Sequence, residues 1–346
     1  MLAFIQHSGS ANFTYSTGIE VEGAFHVFSD DFSLNVLIVP DMEGVRAKRE
    51  SKVRNVLTYS EIGYYGKIEE SLSNFLIEKG VKRVSLPEDF PAKIAFHLSS
   101  NFYVKIEKSP ISKMRAVKSK REVEMIKESC LAAVKAFKFL TKMLKKKNRT
   151  CEELRELIEL KLFSWGFIAE KTIIASGERT CEPHWLGYGE IKEHLIVDVF
   201  PKSRRHGYYG DFTRTLILQD NEEIKNMLKA CVEAKEKAEK IVKPGIRAKD
   251  IHNVVCDVLE SYGYETLRKN SSEGFIHSTG HGVGLEVHEE PRIFDNDDLI
   301  EKGMVFTIEP GLYYKGIGGV RVEDTIVVRD RAEVLTPCEN FPEVFT

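Results

Sequence analysis

Carboxylates set into or beside apolar, strand-like runs constrain this chain more than any other feature. From Phe275 to Ile326 the sequence reads FIHSTGHGVGLEVHEEP, then VFTIEPGLYY, then GGVRVEDTI. Glu309 follows directly on an apolar run, and Glu323 lies in an alternating one that sets Val320 and Val322 on one face and Arg321 and Glu323 on the other. Upstream, LIVDVF carries Asp198 and GDFTRT carries Asp211. An ionised Asp or Glu is almost never fully buried without a partner. Two carboxylates about 4 Å apart repel by about 4 kcal/mol at an effective dielectric near 20. Taken singly, each reads as a strand-end group or half of an ion pair. Taken together, four converge only if they are protonated or neutralised by cations, and Arg321 alone cannot balance them. A pair of divalent metal ions can.

Histidines strengthen this reading. His277, His281 and His288 fall within twelve positions, and His281 sits in GHGVG, where glycines let the backbone approach another element closely. His184, in CEPHW, lies between strand signals further upstream. One imidazole with four carboxylates is a largely oxygen donor set, which suits Mn²⁺, Co²⁺, Fe²⁺ or Zn²⁺ better than thiolate-selected metals. Two such ions about 3.5–4 Å apart make a hydrolytic site, in which a bridging hydroxide attacks a carbonyl that the ions polarise. The other histidines are then expected to hold substrate and pass protons. GHGVGLE and GIGGV lack the strand–GxGxxG–helix context of a dinucleotide site, and the chain has no HExxH, Walker loop or GxSxG.

Composition narrows the setting. At 346 residues the chain is long enough for two domains with full cores. A net charge of −3 creates no global field for nucleic acid or membrane. Six scattered cysteines form no CxxC pair, so neither a thiolate zinc site nor a disulfide framework is expected. The N-terminus lacks the charged leader and apolar core of a signal peptide, and no run of about 18 apolar residues occurs. A cytoplasmic protein is the expectation. The basic tract MLKKKN at Met143 to Asn148 reads as a solvated helix end rather than a binding patch.

Along the chain, residues 1–116 alternate strand signals (AFHVF, LNVLIV, VKRVSL, NFYVKI) with helix signals, as in a small α/β domain. A boundary is expected between Pro110 and Lys120. In 117–346, a long amphipathic helix is followed by a second one opened by the capping box Thr150/Glu153 and closed at Gly166. Strands then carry TIIASG, LIVDVF and TRTLIL. A similar helix pair follows, ending at Gly263. Glu153/Asp250, Leu154/Ile251, Ile158/Val255, Leu162/Leu259 and Gly166/Gly263 align at one offset of 97 residues. This predicts a duplicated unit whose halves face each other with polar residues at their junction.

Asp198, Asp211 in GDFTRT, His281 in GHGVGLEVHE, Glu309 in TIEPGLY and Glu323 in VRVEDT resemble, in order and context, the pita-bread metallopeptidases. That family includes methionine aminopeptidase, Xaa-Pro aminopeptidase, prolidase and creatinase, and the resemblance runs from about Lys118 to the end. NFTYSTGI near the start is similar to the opening of the N-terminal domain of the Xaa-Pro and creatinase branch. The resemblance implies an α/β (α+β) architecture: a pita-bread catalytic domain with internal pseudo-twofold duplication, after a smaller α/β N-terminal domain. It implies that Asp198 is a terminal ligand of one ion, that His281 and Glu309 are terminal ligands of the other, and that Asp211 and Glu323 bridge. His277, His288, His184 and Arg321 match the family's substrate-binding and proton-handling positions. The activity implied is that of a Xaa-Pro dipeptidase or aminopeptidase with two divalent ions, Mn²⁺ first among them. The resemblance likewise implies short proline-containing peptides as substrates and a homodimeric assembly.

Three departures from the pattern are visible: a longer stretch at 199–210 with a basic tract at Lys202 to His206, Trp185 where a glycine is common, and Glu193-His194 where a Gly-Asp turn is usual. A creatinase-like C–N hydrolase and a catalytically silent binding protein of the same fold are the alternatives. The complete five-residue set argues against both.

Overall fold

The computed structural model describes residues 1–64, 66–144 and 149–341; residues 145–148 of the basic tract lie outside the described residues. The chain divides into two compact units, Met1–Arg115 and Ala116–Thr346. The division falls within the interval expected for it, and the chain is helical there over Pro110–Ala116. Proline at its first position needs no backbone N–H there, so it opens the helix instead of breaking it.

The first unit is a six-stranded mixed sheet. Its strand order is Val56–Thr58, Asn35–Val39, Phe25–Phe28, Leu2–His7, Arg83–Leu86, Tyr103–Ile106. One core holds Ile5, Val27, Ile38 and Val84 with Leu72 and Leu76 of the Ile68–Glu78 helix. A second holds Leu37, Val39 and Ala47. The helix Ala11–Thr17, unmarked by any apolar periodicity, starts where Ser10 accepts the Phe13 N–H at 3.2 Å.

The second unit is built on one largely antiparallel sheet. In order across it lie Glu289–Ile293, Gly280–Gly282, Val305–Ile308, Glu323–Val328, Phe212–Ile217, His194–Asp198 and Ile173–Ser176, with Ala332–Val334 also paired to Glu323–Val328. The three strands from the first half of the unit are thus neighbours, and so are those from the second. The halves meet where Phe212–Ile217 pairs with Glu323–Val328.

The duplication is visible in the helices. Cys151–Ser164 and Ala248–Ser261 begin and end 97 residues apart. Both are followed by a glycine in the left-handed region, Gly166 at φ +90° and Gly263 at φ +88°. Thr150 and Glu153 close the expected capping box, with Glu153 N–H to Thr150 Oγ1 at 3.3 Å and Thr150 N–H to Glu153 Oε2 at 3.0 Å. In the second copy Asp250 Oδ2 accepts from the Arg247 N–H at 3.3 Å. Leu154, Ile158 and Leu162 are buried in one core with Leu195, Val197 and Phe212. Ile251, Val255 and Leu259 are buried in another with Phe306, Ile308 and Ile326.

Because the two cores are separate, Leu162→Ala and Leu259→Ala should each cost about 3 kcal/mol. The double variant should lose their sum to within about 0.5 kcal/mol. Urea unfolding of the four proteins measures this. A strongly non-additive double variant would mean that the halves share one core.

Candidate metal centre

Each of the five residues proposed as ligands comes from its own strand, and the strands are consecutive in the sheet. His281 is the middle residue of Gly280–Gly282, Glu309 directly follows Val305–Ile308, and Glu323 begins Glu323–Val328. Asp211 directly precedes Phe212–Ile217, and Asp198 ends His194–Asp198. Asp198 therefore terminates its strand and does not interrupt it. Register aligns them: Thr213 is paired with Asp198 on one side and with Glu323 on the other. Alternation then puts Asp211 and Thr213 on one face, with the carboxylates beside them.

The two glycines flanking His281 are required by space. A Cβ on Gly280 would lie 1.8 Å from the Thr307 carbonyl oxygen, and one on Gly282 would lie 2.1 Å from that of Glu290. Those contacts press the His281 strand against its neighbours. The ring is oriented by Nδ1, 3.1 Å from the Gly282 carbonyl. Nε2 then faces Glu309 Oε1 at 3.2 Å and Asp211 Oδ2 at 3.7 Å. Asp211, His281 and Glu323 each offer a ligand atom, all within 4.8 Å of one another.

The electrostatics are those of an unneutralised anionic cluster. Burial, then the charges of Glu323, Asp198 and Glu309, push the Asp211 carboxyl well above its usual range. Burial, then Glu309 and Asp198, do the same to Glu323. Asp198 is raised by burial, against the opposing pull of Arg321. Glu309 goes the other way: burial would raise it, but the hydrogen bond and charge of His281, aided by His277 and Arg321, bring it below the usual carboxylate range. His281 is correspondingly raised, the Glu309 pairing overcoming burial. Asp198 Oδ1 and Glu323 Oε1 are buried with no hydrogen-bond partner among the described residues. An unsatisfied buried carboxylate oxygen is expensive. A cation held between these oxygens would satisfy both, so the donor set fits divalent metal.

The flanking residues are placed as follows. Arg321 is buried and forms an ion pair with Asp198, Nη2 to Oδ2 at 2.7 Å, while its Nη1 donates to Tyr313 OH at 2.7 Å. His277 Nε2 lies 3.2 Å from the same Tyr313 oxygen, and its Nδ1 lies 2.8 Å from the Ser278 carbonyl. The His288 ring stands edge-on to His281 at 4.1 Å between centroids. Burial, and then the charge of His281, bring the His288 pKa down to about 4. His277 is also lowered by burial. Burial thus favours the neutral imidazole in both. His184 is exposed, on a turn whose Pro183 carbonyl lies 3.4 Å from Arg321 Nη1. It is less intimately part of the cluster than the other histidines.

The departures from the pattern have local explanations. Trp185 lies beneath the Arg179 guanidinium, 4.4 Å from ring centroid to Cζ, and Arg179 is itself paired with Glu182. His194 is fully buried at the start of its strand, its Nε2 2.8 Å from Thr180 Oγ1. In the longer stretch, Lys202–Ser203 pairs with Phe167–Ile168, and Arg205 pairs with Glu128. The basic tract is thus anchored locally.

Sequence reasoning missed three side chains of the site. Thr213 Oγ1 donates to Glu323 Oε2 at 2.6 Å, and Thr307 Oγ1 donates to Glu309 Oε1 at 3.2 Å. Tyr313 joins Arg321 to His277. Thr213 and Thr307 each lie two residues from a proposed ligand, so same-face alternation could have found them. Nothing in GLYY singles out Tyr313 from Tyr314.

Comparison with known proteins adds an independent line. Residues 124–330 match the description of metallopeptidase family M24. The Xaa-Pro dipeptidase of Pyrococcus furiosus is 33% identical over 339 residues, covering 95% of this chain and 92% of that protein. An uncharacterised peptidase of Methanocaldococcus jannaschii is 41% identical over 234 residues, 65% of this chain and 64% of its own length. The crystal structure of the prolidase from Pyrococcus horikoshii superimposes with a TM-score of 0.83 at 30% identity, covering 98% of this chain and 94% of that one. Family match, near-full-length identity and shared fold agree. The chain belongs to metallopeptidase family M24: it is a metallopeptidase of the Xaa-Pro dipeptidase branch, with a pita-bread catalytic unit preceded in sequence by a smaller N-terminal unit.

Proposed function

We propose that the protein hydrolyses the peptide bond preceding proline in short peptides, using two divalent metal ions held by Asp198, Asp211, His281, Glu309 and Glu323. The observation that carries this reading is the buried cluster of Asp211, His281 and Glu323, with the unpartnered oxygens of Glu323 and Asp198 beside it. The names of the relatives, Xaa-Pro dipeptidase and prolidase, support the choice of bond. In this reading Asp198 would serve one ion, His281 and Glu309 the other, and Asp211 and Glu323 both. Bound there, divalent ions supply Lewis acidity toward water and toward the scissile carbonyl.

The protein's own groups do the rest. Arg321 holds Asp198 in place through the 2.7 Å ion pair, and Tyr313 fixes the Arg321 guanidinium against His277. His277 and His288, neutral because buried, can accept a proton or hydrogen-bond substrate without adding positive charge to the site. His184, exposed on its turn, is suited to the rim of the site, where a substrate terminus would pass. Residues 1–115 act in this reading as the N-terminal domain of the branch, in a cytoplasmic homodimer with Mn²⁺ as its first-choice metal. Among the described residues, no helix is long and apolar enough to cross a membrane.

With Mn²⁺ or Co²⁺ added to apoprotein, a Xaa-Pro dipeptide should be cleaved, and a Met-initiated peptide without proline should not. Glu323→Ala should abolish the cleavage and lower bound metal. Cleavage of the Met peptide alone, or turnover of creatine by metal-free protein, would replace this reading with another branch of the fold.

Glu323 also gives a stability test. Its native pKa is raised, so the native state binds that proton more tightly than the unfolded chain does. Stability therefore falls as pH rises from the ordinary glutamate value towards the raised one. Glu323→Gln keeps the shape and removes the charge. Its apoprotein should melt about 3 °C higher than wild-type apoprotein near pH 8, if about 1 kcal/mol of repulsion is relieved. That gap should narrow towards pH 5, and metal should no longer stabilise the variant as it does the wild type. Calorimetry across pH, with and without metal, checks both parts.

A further inference from the structure

The two halves of the catalytic unit are joined in the sheet by very little backbone. The Phe212–Ile217 and Glu323–Val328 strands share only two register pairs, Phe212 with Asp324 and Thr213 with Glu323. The neighbouring ladders have five pairs within the first half and four within the second. Yet this short seam runs through the metal centre, separating Asp198 and Asp211 from His281, Glu309 and Glu323. The spacing between Asp211 and Glu323, the two proposed bridging carboxylates, is set across it.

Side chains stitch the seam on both sides of the short ladder. Thr325 Oγ1 donates to the Asp211 carbonyl at 2.7 Å, and Thr215 Oγ1 is bonded to the Arg321 backbone through both its carbonyl (2.9 Å) and its N–H (3.0 Å). The largest stitch lies behind the sheet. Arg214 and Asp324 follow Thr213 and Glu323 by one residue, so they point to the opposite face. Arg214 is fully buried. Its Nη1 donates to the Thr213 carbonyl at 2.9 Å and to the Glu323 carbonyl at 2.5 Å. These are the two residues whose side chains meet on the metal side. Its Nη2 is paired with Asp324 Oδ1 at 2.8 Å. Asp324 is held in turn by Thr336 Oγ1 at 2.8 Å and by Lys235 Nζ from the Glu222–Ile241 helix. Arg214 Nε and Nη2 also bind the Glu339 and Cys338 carbonyls, each at 3.0 Å.

We propose that Arg214, Asp324 and Lys235 form a seam clamp: positioning residues that fix the two halves in the one register that lets Asp211 and Glu323 share two ions. A planar guanidinium can grip two carbonyls and a carboxylate at once, which an ammonium cannot. The clamp touches none of the reacting atoms. Its effect would fall on one ion before the other: the ion served by Asp198 would have only Asp198 and Asp211 from its own half and would depend on Glu323 across the seam, whereas the other would have His281, Glu309 and Glu323 from a single half. The inference rests on the two-ion reading above.

The test is Co²⁺ binding by full-length apoprotein, followed by titration calorimetry and by the EPR signature of a spin-coupled pair. Wild type, Arg214→Lys, Lys235→Met and Leu162→Ala are compared at a temperature where circular dichroism shows each to be folded. Leu162→Ala removes apolar packing from the Cys151–Ser164 helix and none of the clamp's polar contacts, so it serves as the stability control. The expected result is two ions and a coupled signal in wild type and Leu162→Ala. In Arg214→Lys one ion should stay tight while the second weakens by about 10–100-fold, the range found when supporting groups behind metal ligands are changed. The coupled signal should be lost with it. Lys235→Met should move in the same direction to a smaller extent, and it stands in for Arg214→Lys if that variant does not fold. Two tight ions in either folded clamp variant would overturn the proposal, as would equal loss of the second ion in Leu162→Ala. Failure of both clamp variants to fold, while the control folds, would assign the cluster to stability alone and also overturn it. Wild type binding fewer than two ions would instead sink the functional reading.

Discussion

Like charges brought together in a buried place are the constraint on which the rest of this structure turns. Four carboxylates and one imidazole come from or directly beside five consecutive strands of one sheet, and among the described residues Arg321 is the fixed positive partner of Asp198. His281 offsets Glu309. Among the described residues Asp211 has only the His281 ring, at 3.7 Å, and Glu323 has no ion pair; both are pushed toward the protonated form. A chain keeps such an arrangement only if something outside it restores the balance. Membership of a metallopeptidase family and the donor set agree on what that is.

The scaffold answers a geometric problem. Ligands must converge from distant parts of the chain while the cluster repels itself, so the backbone has to be held by groups other than the ligands. The duplicated helix pairs do this for each half, each with its own core. Glycines beside His281 let strands approach where a side chain would block them. Across the join, where only two register pairs link the halves, threonines and a buried guanidinium make further connections. Arg214 and Lys235 are cations close to the site in sequence or fold, yet both are committed to Asp324 on the reverse face. They do not neutralise the cluster.

Particular elements show why some of this was readable in advance. The Thr150/Glu153 box and the 97-residue offset are local patterns, and the helices begin and end where those patterns place them. The apolar runs ending in Asp198 and Glu309 are strands because alternation and β-branched residues act over a few positions. The Pro110–Ala116 helix was not expected at the boundary, since charge and proline are equally consistent with a linker and with a first helical turn. Tyr313 was missed because its role is defined only by Arg321 and His277, which reach it through space.

By itself, then, the sequence determined most of the elements, the duplication and the residue types of a metal-binding cluster, because each depends on neighbours within a turn of helix or a few strand positions. Only the tertiary structure decided which oxygens are left without partners, which face carries Arg214 and Asp324, and how few rungs join the halves. Those follow from strand order and register, and these depend on contacts more than a hundred residues apart, such as Thr213 with Glu323.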